Sequence, residues 1–168
     1  DRYYQKTNQE KVSELTGRLM SSTQLSSIAD TDIVIESVIE RTDLKRQVLA
    51  EIEATVSPST IICTNTSTNP IATLADVFSD PTRFCGMHFF NPAPLMPLVE
   101  IIPAIQTSND TIKKTMTLSE SWKKTTVLCK DTPGFIVNRL ARSFYSESIR
   151  IYEENIANKE TIDWAMKE

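Results

Sequence analysis

The segment DIVIESVIERTDLKRQVLAEIEATVSPSTIICT, residues 32–64, carries two different hydrophobic periods in succession. Ile33-Val34-Ile35-Glu36-Ser37-Val38-Ile39 is dense in β-branched residues and reads as a buried strand over 33–39. After Thr42 or Asp43, either of which can cap a helix, Leu44, Val48, Leu49 and Ile52 form one apolar stripe at helical spacing. Pro58 lies past the end of that helix, and Thr60-Ile61-Ile62-Cys63-Thr64 is a second short strand. A strand, a crossover helix and a strand in this order make the unit from which parallel sheets are built.

The same alternation continues outward. Downstream the pattern predicts a helix over 71–78, a strand over 83–90, a proline-rich turn over 91–97, a strand over 98–102, a helix over 110–124 and a strand over 126–129. Upstream, Val12, Leu15 and Leu19 suggest a helix over about 8–20, and Ser, Thr and Asp punctuate 21–32. Past Pro133 the character changes. Residues 134–154 read as one long helix with Ile136, Leu140, Phe144 and Ile151 on a common face, and another helix begins near 162–166. The expected fold is α/β with a largely parallel sheet over residues 1–131, followed over 132–168 by the start of an all-α domain that lacks something to pack on.

Composition narrows the function classes. The 168 residues are 40% hydrophobic and 24% charged, as expected for a globular chain with a real core, and the net charge is −4. That balance argues against nucleic acid as the main partner, because a phosphate-binding surface needs an excess of Lys and Arg. No apolar run is long enough to span a bilayer, so membrane insertion is not expected, and the first residues resemble neither a secretory signal nor a transit peptide. Cys63, Cys85 and Cys129 each lie in or beside an apolar stretch without C-x-x-C spacing. They read as buried thiols in a reducing compartment, and no metal site is expected.

His88, the single histidine, follows a strand within Gly86-Met87-His88-Phe89-Phe90-Asn91-Pro92. A lone histidine among apolar residues is either a satisfied core residue or, being neutral near pH 7, a base for an alcohol proton. Glu100 sits inside the apolar run Leu98-Val99-Glu100-Ile101-Ile102, where a carboxylate is unexpected unless it is paired. A hairpin centred on Pro94 puts His88 and Glu100 opposite each other on one face. Glu100 would then orient the ring and stabilise imidazolium, as the third member of a catalytic triad does. The competing possibility is a solvent-facing Glu on an edge strand. Glu40, Asn65-Thr66-Ser67, His88 and Asn91 all fall at strand C-terminal ends, where open α/β sheets bind ligands. Asp131-Thr132-Pro133-Gly134-Phe135 looks like the start of a helix capped by Asp131 or Thr132, with Asn138 one turn inside it. With only Gly17, Gly86 and Gly134, the chain carries no G-x-G-x-x-G turn for a pyrophosphate.

Taken in order, Asp32-Ile33-Val34-Ile35-Glu36, Thr64-Asn65-Thr66-Ser67, Gly86-Met87-His88-Phe89-Phe90-Asn91-Pro92, Leu98-Val99-Glu100 and the block Lys130 to Arg139 (KDTPGFIVNR) resemble the 3-hydroxyacyl-CoA dehydrogenases. The resemblance spans essentially the whole chain. It implies a Rossmann-like, mostly parallel sheet with helices on both faces, binding NAD, followed by a helical domain that makes a homodimer and closes the site. It also implies roles. His88 would take the 3-hydroxyl proton of an acyl-CoA substrate, with Glu100 as its partner, while Ser67 and Asn138 hold the C3 oxygen. Glu40, Lys45, Ser67 and Asn91 match positions that contact NAD. The setting it implies is fatty-acid β-oxidation in the mitochondrial matrix, or else bacterial cytoplasm. Thr68 stands where a second Ser is common and Pro97 where a basic residue is frequent. On the same basis the chain is expected to lack the opening glycine turn and most of the helical domain, and so to be inactive alone. A crystallin-like structural relative and an inactive short isoform are the alternatives.

Overall fold

A computed structural model describes residues 16–168. The helix expected over about 8–20 falls mostly outside the described residues. Among the described residues five strands form one sheet in the order β1 (Ile33–Glu36), β2 (Ile61–Thr64), β3 (Phe84–Phe89), β4 (Leu98–Pro103) and β5 (Thr125–Leu128). All neighbours are parallel except β3 and β4, which pair antiparallel across the proline-rich turn. Helices α1 (Thr42–Thr55), α2 (Ile71–Ala75) and α3 (Asn109–Ser121) connect the strands, and α4 (Val137–Glu153) and α5 (Lys159–Ala165) follow.

Period-two alternation divides the sheet between two cores. Val34, Ile62, Phe84 and Ile102 point to the face covered by α1 and α2 and pack on Leu49, Ile52, Ile71 and Leu74. Ile33, Ile35, Cys63, Cys85, Met87, Val99 and Ile101 point to the other face, where Met116 of α3 lies. Helices on both faces of a mostly parallel sheet are the expected architecture. Gly86 is required on the first face, since a Cβ there would stand 2.8 Å from Ile71 Cδ1 and 3.1 Å from Ile102 Cβ. The parity that buries Phe84 and Ile102 also sends His88 and Glu100 to that face.

Several expected boundaries move. The first strand stops at Glu36 rather than Ile39, because the Val38 N–H turns back to donate to the Glu36 carboxylate at 2.6 Å. Helix α1 has Arg41 at its N-cap without a side-chain bond, and Thr42, expected as a cap, instead donates to Asn69 Oδ1. Helix α2 ends at Ala75, and a 3₁₀ turn over Pro81–Arg83 precedes β3. The long helix starts at Val137, not at 134: Gly134 (φ +77°) and Phe135 (φ +49°) are left-handed and bend the chain before it. Leu140, Phe144, Tyr145 and Ile149 on α4 are exposed. Among the described residues no helix is long and apolar enough to cross a membrane.

Candidate active site

His88 and Glu100 are register partners of β3 and β4. His88 Nδ1 lies 2.7 Å from Glu100 Oε2, with 4% of the histidine and none of the glutamate exposed. Glu100 lies on a strand flanked by β3 and β5, so the edge-strand alternative is overturned. A carboxylate only accepts, which puts the proton of a neutral His88 ring on Nδ1 and leaves Nε2 with its lone pair. Phe90 and Phe135 flank the imidazole, with ring centroids 4.7 and 5.5 Å away.

The second oxygen of Glu100 has a different task. Oε1 accepts from the backbone N–H groups of both Ile136 and Val137, each at 3.0 Å. These are free donors at the start of α4, so a residue of the central sheet caps that helix. The expected caps are corrected accordingly: Asp131 accepts from the Ala72 N–H of α2 at 2.8 Å, and Thr132 Oγ1 faces the Lys130 carbonyl. One buried carboxylate thereby fixes both the orientation of His88 and the start of the helix carrying Asn138. Asn138 is half-buried beside Val137, and among the described residues its side chain has no hydrogen-bond partner.

A second polar cluster lies at the ends of β1 and β2. The Glu40 carboxylate accepts from the Ser67 N–H at 2.6 Å, the Ser67 hydroxyl at 3.0 Å, the Thr66 hydroxyl at 2.9 Å and the Asn69 amide at 2.9 Å. Partial burial works against its ionisation, but the Ser67 and Thr66 bonds and the Lys45 charge outweigh it and hold Glu40 below the usual carboxylate range. Asn65 ties the strand ends together, donating to Ser37 Oγ at 3.0 Å and accepting from the Phe89 N–H at 2.9 Å, one residue past His88.

Of the residues singled out in the sequence, the structure therefore brings His88 to Glu100 and Glu40 to Ser67. It sets Asn138 at the capped helix start. Asn91 is exposed three residues past His88, before a cis Pro92. Lys45 is 1% exposed and faces carboxylates, not solvent. Sequence reasoning missed Glu36, which is 3% exposed, bonds Lys45 and accepts from the Thr64 hydroxyl at 2.6 Å. The signal that exposed Glu100, a carboxylate inside an apolar strand, was equally present at Glu36. Among the described residues no cluster of His, Cys, Asp and Glu could hold a metal ion.

Residues 2–132 match the family model described as "3-hydroxyacyl-CoA dehydrogenase, NAD binding domain", and residues 134–168 match "3-hydroxyacyl-CoA dehydrogenase, C-terminal domain". A probable 3-hydroxyacyl-CoA dehydrogenase of Caenorhabditis elegans is 45% identical over 93% of this chain and 51% of its own length. The human mitochondrial hydroxyacyl-coenzyme A dehydrogenase is 39% identical over 96% of this chain and 52% of its own. The crystal structure of (S)-3-hydroxybutyryl-CoA dehydrogenase from Ralstonia eutropha superposes with a TM-score of 0.93 at 39% identity, covering 98% of this chain and 58% of that one. The chain thus spans about half the length of the curated relatives it matches.

Proposed function

Since the chain belongs to the 3-hydroxyacyl-CoA dehydrogenase family, we propose that it forms the catalytic core of an NAD-dependent enzyme that oxidises (S)-3-hydroxyacyl-CoA to 3-ketoacyl-CoA. The observation that carries this reading is the buried His88–Glu100 pair, with Nδ1 committed to Glu100 at 2.7 Å and Nε2 left to accept a proton.

In the forward direction His88 Nε2 takes the proton of the 3-hydroxyl, and the ring becomes imidazolium against the Glu100 carboxylate. That carboxylate already bonds Nδ1–H, so the charge forms beside a fixed counter-charge and little has to reorganise. Ser67 and Asn138 hold the C3 oxygen, the first from the end of β2 and the second from α4. NAD, when bound, supplies the acceptor for the hydride that leaves C3. Run in reverse, imidazolium returns the proton to the oxygen of a 3-ketoacyl-CoA.

The residues present fit one end of the cofactor. Glu40, Ser67 and Asn91 offer partly exposed acceptors and donors at successive strand ends, suited to ribose hydroxyls and a carboxamide. A pyrophosphate needs a glycine-rich turn, and this sequence carries no G-x-G-x-x-G. Residues 1–131 are read as the NAD-binding domain and 132–168 as part of a helical dimerisation domain, consistent with the spans of the two family matches. The exposed Leu140, Phe144, Tyr145 and Ile149 on α4 support a role in packing against further helices or a second subunit. β-Oxidation in the mitochondrial matrix is the proposed setting, with bacterial cytoplasm as the alternative, since relatives from both kinds of source match.

The test is acetoacetyl-CoA-dependent oxidation of NADH by a protein of the relatives' full length that carries this sequence. Turnover in the range of ordinary enzymes, about 1–10³ s⁻¹, is expected. A folded protein that binds NADH and shows no turnover would instead favour the crystallin-like structural relative, or a substrate outside the acyl-CoA class.

A further inference from the structure

The turn between β3 and β4, Asn91-Pro92-Ala93-Pro94-Leu95-Met96-Pro97, opens with Asn91, a ligand-facing group of the site above. Three of its seven residues are prolines without an N–H, so the segment is short of donors for its own carbonyls. The Leu95 and Met96 N–H groups both turn back on the Pro92 carbonyl, at 2.9 and 3.1 Å. The carbonyls of Ala93, Met96 and Pro97 find partners outside the turn. Lys124 Nζ donates to Ala93 O at 2.5 Å and to Met96 O at 2.8 Å, and the Thr125 N–H donates to Pro97 O at 2.8 Å. Apolar packing adds little, since Leu95 and Met96 are 52% and 39% exposed.

The end of α3 delivers Lys124 to this place. Lys123 is left-handed, at φ +61°, and its N–H donates to Glu120 O at 2.8 Å while the Lys124 N–H donates to Ser119 O at 3.1 Å. This paired closure of a helix end normally uses glycine at the left-handed position, and here it turns the chain straight into β5. Thr125, the next residue, is the register partner of Leu98, the first residue after the turn. The Lys124 ammonium therefore ties the crown of the turn to the strand beside it. Both of its acceptors are neutral carbonyls, so its loss leaves no buried charge unpaired.

We propose that Lys124 is a positioning residue of the cofactor site: its ammonium staples residues 91–97 to β5 and thereby holds Asn91 where it meets the cofactor. This rests on the reading of Asn91 as a cofactor contact of the dehydrogenase. His88 does not depend on the staple, because Glu100 holds it within the β3–β4 ladder.

The experiment uses the full-length protein and three variants, Lys124→Met, Asn91→Ala and the double variant N91A/K124M. Lys124→Met keeps the alkyl stem and removes the donors. The dissociation constant for NADH, the melting temperature, the pH dependence of kcat and, without ligand, hydrogen exchange at the Leu95 and Met96 amides are measured for each. In Lys124→Met, NADH binding is expected to weaken about three- to tenfold, the worth of roughly one hydrogen bond. Exchange at Leu95 and Met96 should quicken, while the melting temperature and the pH midpoint of kcat stay close to parental. The double variant should bind NADH no more weakly than Asn91→Ala alone, because the lysine acts through Asn91. Parental NADH affinity or parental exchange in Lys124→Met would overturn the proposal. So would additive losses in the double variant, the pattern of a lysine that acts on the ligand by itself, or a shifted pH midpoint, the pattern of a charge that acts on His88. An unfolded Lys124→Met would overturn it too, by making the lysine a residue of the fold rather than of the site. If the parent protein binds no NADH, the dehydrogenase reading falls separately, and exchange at Leu95 and Met96 still judges the staple.

Discussion

Replacing Glu100 by Gln keeps the side chain's size and removes its charge, and the consequences can be worked out atom by atom. The amide oxygen can still accept from the Ile136 and Val137 N–H groups, which now lie 3.0 Å from Oε1. That leaves the amide NH₂ facing His88 Nδ1 across the present 2.7 Å bond. Two donors cannot share that contact, so the ring proton moves to Nε2 and the base loses its lone pair on the substrate side. The wrong tautomer in an otherwise intact triad lowers turnover about 10⁴-fold, and loss of a general base about 10²–10⁴-fold. Bonds to a charged acceptor are worth about 1.5–3 kcal/mol against about 0.5–1.5 for neutral ones, and Glu100 makes three. Easier desolvation of the neutral amide offsets part of this, so a net destabilisation of about 1–3 kcal/mol is expected. Steady-state NADH oxidation and urea unfolding of the full-length variant measure the two effects. A folded Glu100→Gln protein within tenfold of the parental kcat would refute the assignment of Nδ1–H to Glu100 and with it the reasoning about the base.

Three further outcomes follow from the packing and the charges. Gly86→Ala should destabilise by about 1–3 kcal/mol in urea unfolding, because the new Cβ stands 2.8 Å from Ile71 Cδ1 and 3.1 Å from Ile102 Cβ; an unchanged midpoint would show that α2 moves away freely. Glu53, like Glu40, is held below its ordinary value of 4.5: burial opposes this, but the Ser79 and Asp80 N–H groups and Arg83 prevail. The unfolded chain therefore binds more protons than the folded one as pH falls below that value, so these groups stabilise the fold above it and the contribution is lost toward acid. Urea midpoints followed downward in pH should fall less steeply in Glu53→Gln than in the parent, and parallel curves would contradict this. Cys63, Cys85 and Cys129 are all buried, and burial also raises the Cys129 thiol, helped by the nearby Glu100 and Asp131 charges. A thiol-specific chromogenic reagent should accordingly leave the native thiols untouched and titrate them only after denaturation; fast reaction of the native protein would contradict their burial.

The site's central pair was legible because it rests on arithmetic and parity. His88 and Glu100 are equidistant from Pro94, and a hairpin about that point forces them together on one face. The succession of strands and helices was legible for the same local reason, since period-two and helical spacings alternate along the chain. What local pattern could not give was the destination of polar groups that leave their own element. The strand expected to reach Ile39 ends at Glu36 because that carboxylate turns inward to a lysine nine residues away and takes the Val38 N–H with it. Asp131 and Thr132 have the right chemistry to cap the helix that follows them, yet the cap comes from Glu100, 36 residues upstream, and Asp131 serves α2 instead. Lys45 illustrates the same limit, since its place in a family pattern says nothing of its 1% exposure. In each case a tertiary partner overrides a sound local expectation.

If His88 is the base and takes no part in holding the cofactor, its loss should cost turnover and spare binding. The most direct measurement compares His88→Gln with the parent in the full-length protein, reading kcat for acetoacetyl-CoA reduction beside the dissociation constant for NADH. Turnover is expected to fall by about 10²–10⁴-fold while NADH affinity stays close to parental. A His88→Gln protein that binds NADH normally and turns over within a few-fold of the parent would contradict it.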